Sequence, residues 1–192
     1  MTIKLIVGLG NFGCRYLETR HNSGARYVEF LAKKYKVSLN KKNILSGYVG
    51  VLNLDIGIVY LLIPAMYMNI NGLSVYRCIK FYKLCVDQVL VAYDELDLLP
   101  GVVRVKLGSR ANSDTHHGVK DLVLRLNRKC NFYRLRIGIG HPGNKNKVCD
   151  FVLNKPSIND RISIDNAINK AIACTEDIVA RNFIKVMNIL HR

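Results

Sequence analysis

Two rhythms of apolar residues run along the chain. Ile3 to Val7 is a run of β-formers, with one lysine inside it, that stops at Gly8, the pattern of a strand buried on both faces. Val89-Leu90-Val91-Ala92-Tyr93 repeats it, and Val102 to Leu107 and Tyr133 to Ile139 predict two more strands. Tyr48 to Leu54 and Ile56 to Ile63 read as a hairpin joined near Asp55-Gly57, with Pro64 stopping its second strand. Elsewhere the apolar spacing lengthens to three and four. Ala25, Val28, Leu31, Ala32 and Tyr35 predict a helix with Asn22-Ser23 at its N-cap. Asn71 to Tyr82 predicts a second, with Leu73, Tyr76, Ile79 and Lys80 around it. Gly118 to Leu126 predicts a third, with Val119, Leu122, Val123 and Leu126 on one face. From Ser157 onward, Ile168, Ile172, Thr175, Val179, Phe183, Val186 and Leu190 describe an amphipathic helix or helix pair docked on the body. Strands alternating with helices imply an α/β fold. The expectation is a single domain over residues 1–192, a twisted, mixed, largely parallel sheet flanked by helices on both faces.

Composition narrows the class without choosing a chemistry. At 192 residues and 49% hydrophobic, the chain can bury one full core. Mean hydropathy is +0.09, and the longest strongly apolar stretch, Ile56 to Ile63, is too short to span a bilayer. The first residues carry no small-residue cleavage site, so a soluble, cytoplasmic protein is expected. Six cysteines are scattered without metal-binding spacing; neither zinc nor disulfides are expected, and the cysteines read as small apolar fillers. The net charge of +15 favours a polyanion, either nucleic acid or an anionic membrane surface. The same charge also follows from a composition rich in Ile, Asn and Lys, as AT-rich genomes encode.

Gly8-x-Gly10-x-x-Gly13 after the first strand matches the dinucleotide-binding fingerprint. That fingerprint requires a helix to begin within the glycine run, so that its N-terminus faces a pyrophosphate. Here the next helix starts near Asn22, and no acidic residue ends a second strand at the required distance. The glycines instead turn the backbone sharply and present Asn11, Tyr16 and His21 at the strand's carboxyl end. Tyr93-Asp94-Glu95-Leu96-Asp97 brings a carboxylate to the end of another strand. A histidine held by a carboxylate is a general base for activating water.

Four blocks, in order, carry a resemblance. Gly8-Leu9-Gly10-Asn11-x-Gly13-x-x-Tyr16-x-x-Thr19-Arg20-His21-Asn22-x-Gly24 resembles the opening signature of bacterial peptidyl-tRNA hydrolases. Pro64-x-x-Tyr67-Met68-Asn69-x-x-Gly72, Asp94-Glu95-Leu96-Asp97 with Gly101, and Arg134 to Gly140 with Pro142-Gly143 and Val148-x-x-Phe151-Val152-Leu153 resemble that family's later blocks. The resemblance implies a monomeric enzyme that hydrolyses the ester between peptide and tRNA and returns free tRNA to translation, with no cofactor, metal or membrane partner. It implies that His21 is the base and Asp94 its partner. It further implies that Asn11 and Asn69 contact the peptide backbone, Tyr16 lies near the scissile end and Met68 lines the peptide groove. Lys106 and Arg136 are implied to clamp a terminal phosphate of the tRNA acceptor end. Arg104, Arg134 and the basic C-terminal region would add affinity without sequence readout.

The chain departs from the pattern twice. Phe12 stands where the family usually has proline. The segment Ser109 to Thr115, before His116-His117-Gly118, replaces a glycine-rich loop and is two residues longer; His117 falls where the family has a substrate-binding asparagine. Lost glycines remove positive φ and predict a different path for this loop. The alternative to an active hydrolase is therefore an RNA-binding protein on the same scaffold whose hydrolysis is weak or lost.

Overall fold

The computed structural model of the chain describes residues 2–108, 116–126 and 131–191. The strands are β1 (Leu5–Gly8), β2 (Asn40–Lys42), β3 (Gly47–Leu54), β4 (Gly57–Pro64), β5 (Val89–Glu95), β6 (Val103–Leu107) and β7 (Tyr133–Gly138). They form one sheet in the order β2-β3-β4-β1-β5-β7-β6. The central β4, β1, β5 and β7 are mutually parallel, while β2/β3, β3/β4 and β6/β7 pair antiparallel. The sheet is thus mixed and parallel at its centre.

Among the described residues seven α-helices cover it: α1 (Ser23–Lys34), α2 (Asn71–Phe81), α3 (His117–Arg125), α4 (Val148–Leu153), α5 (Ile158–Ala173), α6 (Thr175–Val179) and α7 (Phe183–Leu190). Alternation along the buried strands sorts their side chains into two cores. Leu90 and Ala92 of β5 pack with Val28 and Leu31 of α1 and with the C-terminal helices. Val89, Val91 and Tyr93 face the other way, against Val75 and Ile79 of α2 and Val119 and Leu122 of α3. Helices on both faces are what the strand composition requires, because neither face of β1 or β5 tolerates water.

Several elements differ from the sequence expectation. The edge strand β2 is exposed at all three residues and carries no apolar signal. Helix α4 is a short helix within the segment after β7. The tail is three helices, interrupted at Cys174 and at Arg181, whose φ of 63° ends α6 in the left-handed region. Its apolar steps nevertheless hold across the breaks, since Ile168, Ile172, Val179, Val186 and Leu190 are all buried. The inward face of α2 is Ser74, Val75, Cys78 and Ile79, rotated from the stripe through Leu73 and Tyr76. Cys78 and Cys174 are core fillers, but Cys14, Cys85 and Cys149 are exposed; Cys130 lies outside the described residues. Among the described residues, no helix is long and apolar enough to cross a membrane.

Candidate active site

Functional side chains gather beyond the carboxyl ends of the parallel strands, beside β1, whose neighbours β4 and β5 lie on opposite sides. In open α/β sheets this is where a crevice forms. The loop after β1 reaches it because α1 sits unusually close to the sheet. A Cβ on Gly8 would lie 2.2 Å from the Gly24 carbonyl oxygen, and one on Gly24 would lie 2.3 Å from that of Ala92. That approach brings the 3-10 turn Arg20–Asn22, and with it His21, against the end of β5. The helix begins only at Ser23, well past the glycine run.

His21 Nδ1 lies 2.9 and 3.0 Å from the two carboxylate oxygens of Asp94. Both residues are buried, His21 at 8% exposure and Asp94 at 3%. With Nδ1 carrying the proton donated to Asp94, the acceptor lone pair of the neutral ring is on Nε2. Burial disfavours the imidazolium, yet the Asp94 charge and hydrogen bond outweigh it and raise the pKa of His21 above the ordinary value. Burial alone would push the Asp94 carboxyl up; the adjoining histidines reverse this and hold it well below the usual carboxylate range.

A second histidine, His116, completes the group. Its Nε2 is 2.8 Å from Asp94 Oδ1, and its ring lies 4.8 Å from that of His21 and 5.0 Å from that of Tyr93, centroid to centroid. It occupies the N-cap position of α3, and its Nδ1 accepts the Val119 backbone N–H at 3.3 Å. Sequence reasoning singled out its neighbour His117 and passed over His116. The available signal was the His-His doublet directly before an amphipathic helix. One donor atom each from His21, Asp94 and His116 lie within 4.8 Å of one another, making these the described residues able to approach a divalent ion. His21 Nδ1 and His116 Nε2 are both engaged with the Asp94 carboxylate.

The asparagines form a scaffold of their own. Asn22 sits at the α1 N-cap but its side chain does not cap the helix. Its Oδ1 accepts the Asn11 N–H at 2.8 Å and its Nδ2 donates to the Asn11 carbonyl at 3.0 Å. Asn11 Oδ1 in turn accepts the Met68 N–H at 2.8 Å. Fully buried Asn71 accepts the Gly10 N–H at 3.1 Å and donates to the Met66 and Tyr67 carbonyls. Phe12, in place of proline, uses the N–H that proline lacks to donate to the Met66 carbonyl at 3.1 Å. The loops after β1 and β4 are therefore laced into one unit, with Asn69 exposed beside buried Met68.

Every site residue expected from the sequence lines one cleft of about 970 Å³: Asn11, Tyr16, His21, Met68, Asn69, Asp94, Lys106, His117 and Arg136. Val148, Cys149, Val152 and Leu153 of α4 form a wall that the sequence reading did not assign to the site. At one end, the β6/β7 ladder sets Arg104 opposite Arg136 and Lys106 opposite Arg134. Like charges directly opposite each other destabilise a sheet. Glu95 accepts from Arg136 Nε at 2.8 Å and offsets part of the repulsion. The segment 109–115, expected to follow an altered path, lies outside the described residues.

The arrangement resembles known proteins throughout. The family model for peptidyl-tRNA hydrolase matches residues 5–192. A peptidyl-tRNA hydrolase from Sodalis glossinidius is 49% identical over 191 residues, covering 100% of this chain and 97% of the relative. One from Pectobacterium atrosepticum is 48% identical, covering 99% and 96%. The crystal structure of peptidyl-tRNA hydrolase from Acinetobacter baumannii superposes with a TM-score of 0.91 at 42% identity, covering 98% of this chain and 94% of that one.

Proposed function

We propose that this chain, which belongs to the peptidyl-tRNA hydrolase family and hydrolyses the ester between a peptide and its tRNA, does so with a water deprotonated by His21. His21 Nε2 takes a proton as the water oxygen attacks the ester carbonyl carbon. The carbon–oxygen bond to the ribose then breaks, and the ribose hydroxyl leaves with the proton returned by the imidazolium. Asp94 fixes the ring tautomer and stabilises that imidazolium. General-base help of this kind is worth about 10²–10⁴-fold. Because Asn11 Oδ1 is engaged by the Met68 N–H, what Asn11 offers substrate is its NH2 group, a donor suited to the developing oxyanion. Asn69 contacts the peptide backbone, His117 binds substrate where the family has an asparagine, Tyr16 lies near the scissile end and Met68 lines the peptide groove.

Lys106 and Arg136, with Arg134 beside them, receive phosphate of the tRNA acceptor end. We further propose that the chain works as a single copy in the cytoplasm, where translation supplies its substrate. One observation carries the reading: a buried His21–Asp94 contact of 2.9 Å opening into a cleft that ends in paired cations. The test is incubation with a peptidyl-tRNA labelled in the peptide. The expected result is free peptide together with intact deacylated tRNA. Tight, salt-sensitive binding with no release would leave the RNA-binding alternative, to which His117 in place of an asparagine points.

A further inference from the structure

Among the described residues, Asp94 is the only carboxylate hydrogen-bonded to His21, and it is shared. Both histidines address it, His21 from the turn that leads into α1 and His116 from the turn that leads into α3. These helices cover opposite faces of the sheet, so the carboxylate at the end of β5 is gripped from two sides. The protonation of His116 follows from its other nitrogen. Nδ1 accepts the Val119 N–H, so the neutral ring carries its proton on Nε2 and donates it to Asp94.

We propose that His116 is a positioning residue for the reaction, acting through Asp94: it immobilises the carboxylate and takes up part of its charge, and so sets the pH at which His21 becomes able to accept a proton. The inference rests on the reading of His21 as the base. A carboxylate that already accepts one strong hydrogen bond is a weaker partner for a second cation. Loss of the His116 donor therefore lets Asp94 hold the His21 imidazolium more firmly. His21 then stays protonated to higher pH, and the acid limb of the rate profile moves up. Other groups do not displace this pair. His117 and Lys120 of α3 line the same cleft, and there burial, then the nearby His21 and Lys120, act to lower the pKa of His117. Helix α4 contributes Cys149 and apolar side chains to the cleft, and the first charge of α1, Arg26, is paired with Asp165.

Two substitutions separate the two bonds of this ring. His116→Asn keeps an acceptor near the Nδ1 position, where asparagine is a good N-cap, and loses the reach to Asp94. His116→Gln keeps a donor near the Nε2 position and loses the cap. The experiment is the pH profile of kcat/KM for both, alongside NMR titration of the His21 ring. For His116→Asn the acid limb and the His21 titration should rise together by about 0.5 unit or more, with kcat reduced. For His116→Gln they should stay in place while thermal stability falls. The reverse pattern, with both midpoints unmoved in His116→Asn, would reduce His116 to a helix cap and overturn the proposal. A wild-type rate limb that ignores the His21 titration would instead refute His21 as the base. Should neither variant fold, nitrogen-15 shifts of the wild-type imidazoles decide: His116 protonated on Nε2 supports the proposal, and protonation on Nδ1 overturns it.

Discussion

Replacing Asp94 by asparagine removes one negative charge and almost no volume from a buried point of the site. Two unit charges about 4 Å apart attract by about 4 kcal/mol at an effective dielectric near 20. His21 and Asp94 are closer than that, at 2.9 Å. If about half of the imidazolium charge has developed in the transition state, about 2 kcal/mol of stabilisation is lost, or about 30-fold in rate. A second loss compounds it. Asp94 accepts from two rings, and an amide has one oxygen for both. Where its NH2 faces His21, Nδ1 must become the acceptor and the proton moves to Nε2, which no longer works as a base. Together these predict a fall in kcat of about 10²–10⁴-fold with little change in KM. The pH dependence gives a signed check. His21 is held above the ordinary histidine value by Asp94 against burial, so wild-type activity should rise through a limb above about pH 6.5. Without the carboxylate only burial remains, and the limb should move to lower pH even as the plateau drops. The assay is peptide release under kcat and kcat/KM conditions from pH 5 to 9. A loss of less than about tenfold with an unmoved limb would refute the reasoning.

Other expectations follow from the same contacts. Arg20 is buried beneath Phe151, donates to the Lys155 carbonyl at 2.9 Å and pairs with Asp160 at 3.2 Å, so Arg20→Met should lower unfolding free energy by about 2–4 kcal/mol in urea melts. A loss below about 0.5 kcal/mol would show that this tie between the His21 turn and α4 contributes nothing. Burial, then the nearby His21 and Lys120, lower the pKa of His117; it should titrate below His21, giving an acid limb that steepens to slope two, and His117→Asn should return it to one. A slope of two in both proteins would count against this. Lys106→Ala and Arg136→Ala should raise KM and reduce its log–log salt slope by about 0.7–0.9 per phosphate contact, and unchanged slopes in both would argue against the cation ladder as the tRNA site.

Much of this arrangement is legible in the sequence because periodicity reports burial. The buried strands β1 and β5 and the amphipathic α1 and α3 declare themselves through side chains that must avoid water. Strand β2 does not: Asn40–Lys42 is a polar edge held by pairing with β3 alone. Helix α4 is too short for a repeat to show. At the site, His21 and Asp94 stand out as a histidine in a glycine-bounded loop and a carboxylate at a strand end. His116 does not, because its role depends on the way α3 docks. A Cβ on Gly118 would lie 2.7 Å from Met68 Sδ, and that close seating carries the ring of His116, two residues earlier, to Asp94. Asn22 was legible as an N-cap position, yet its amide serves the backbone of Asn11, a contact that exists only once both loops have folded.

The most direct test of His21 as the base is single-turnover peptide release by His21→Gln at saturating enzyme, with tRNA binding measured on the same preparation. Binding within about threefold of wild type and release slowed by at least about 10²-fold is the expected pair of results. Release at the wild-type rate would contradict it.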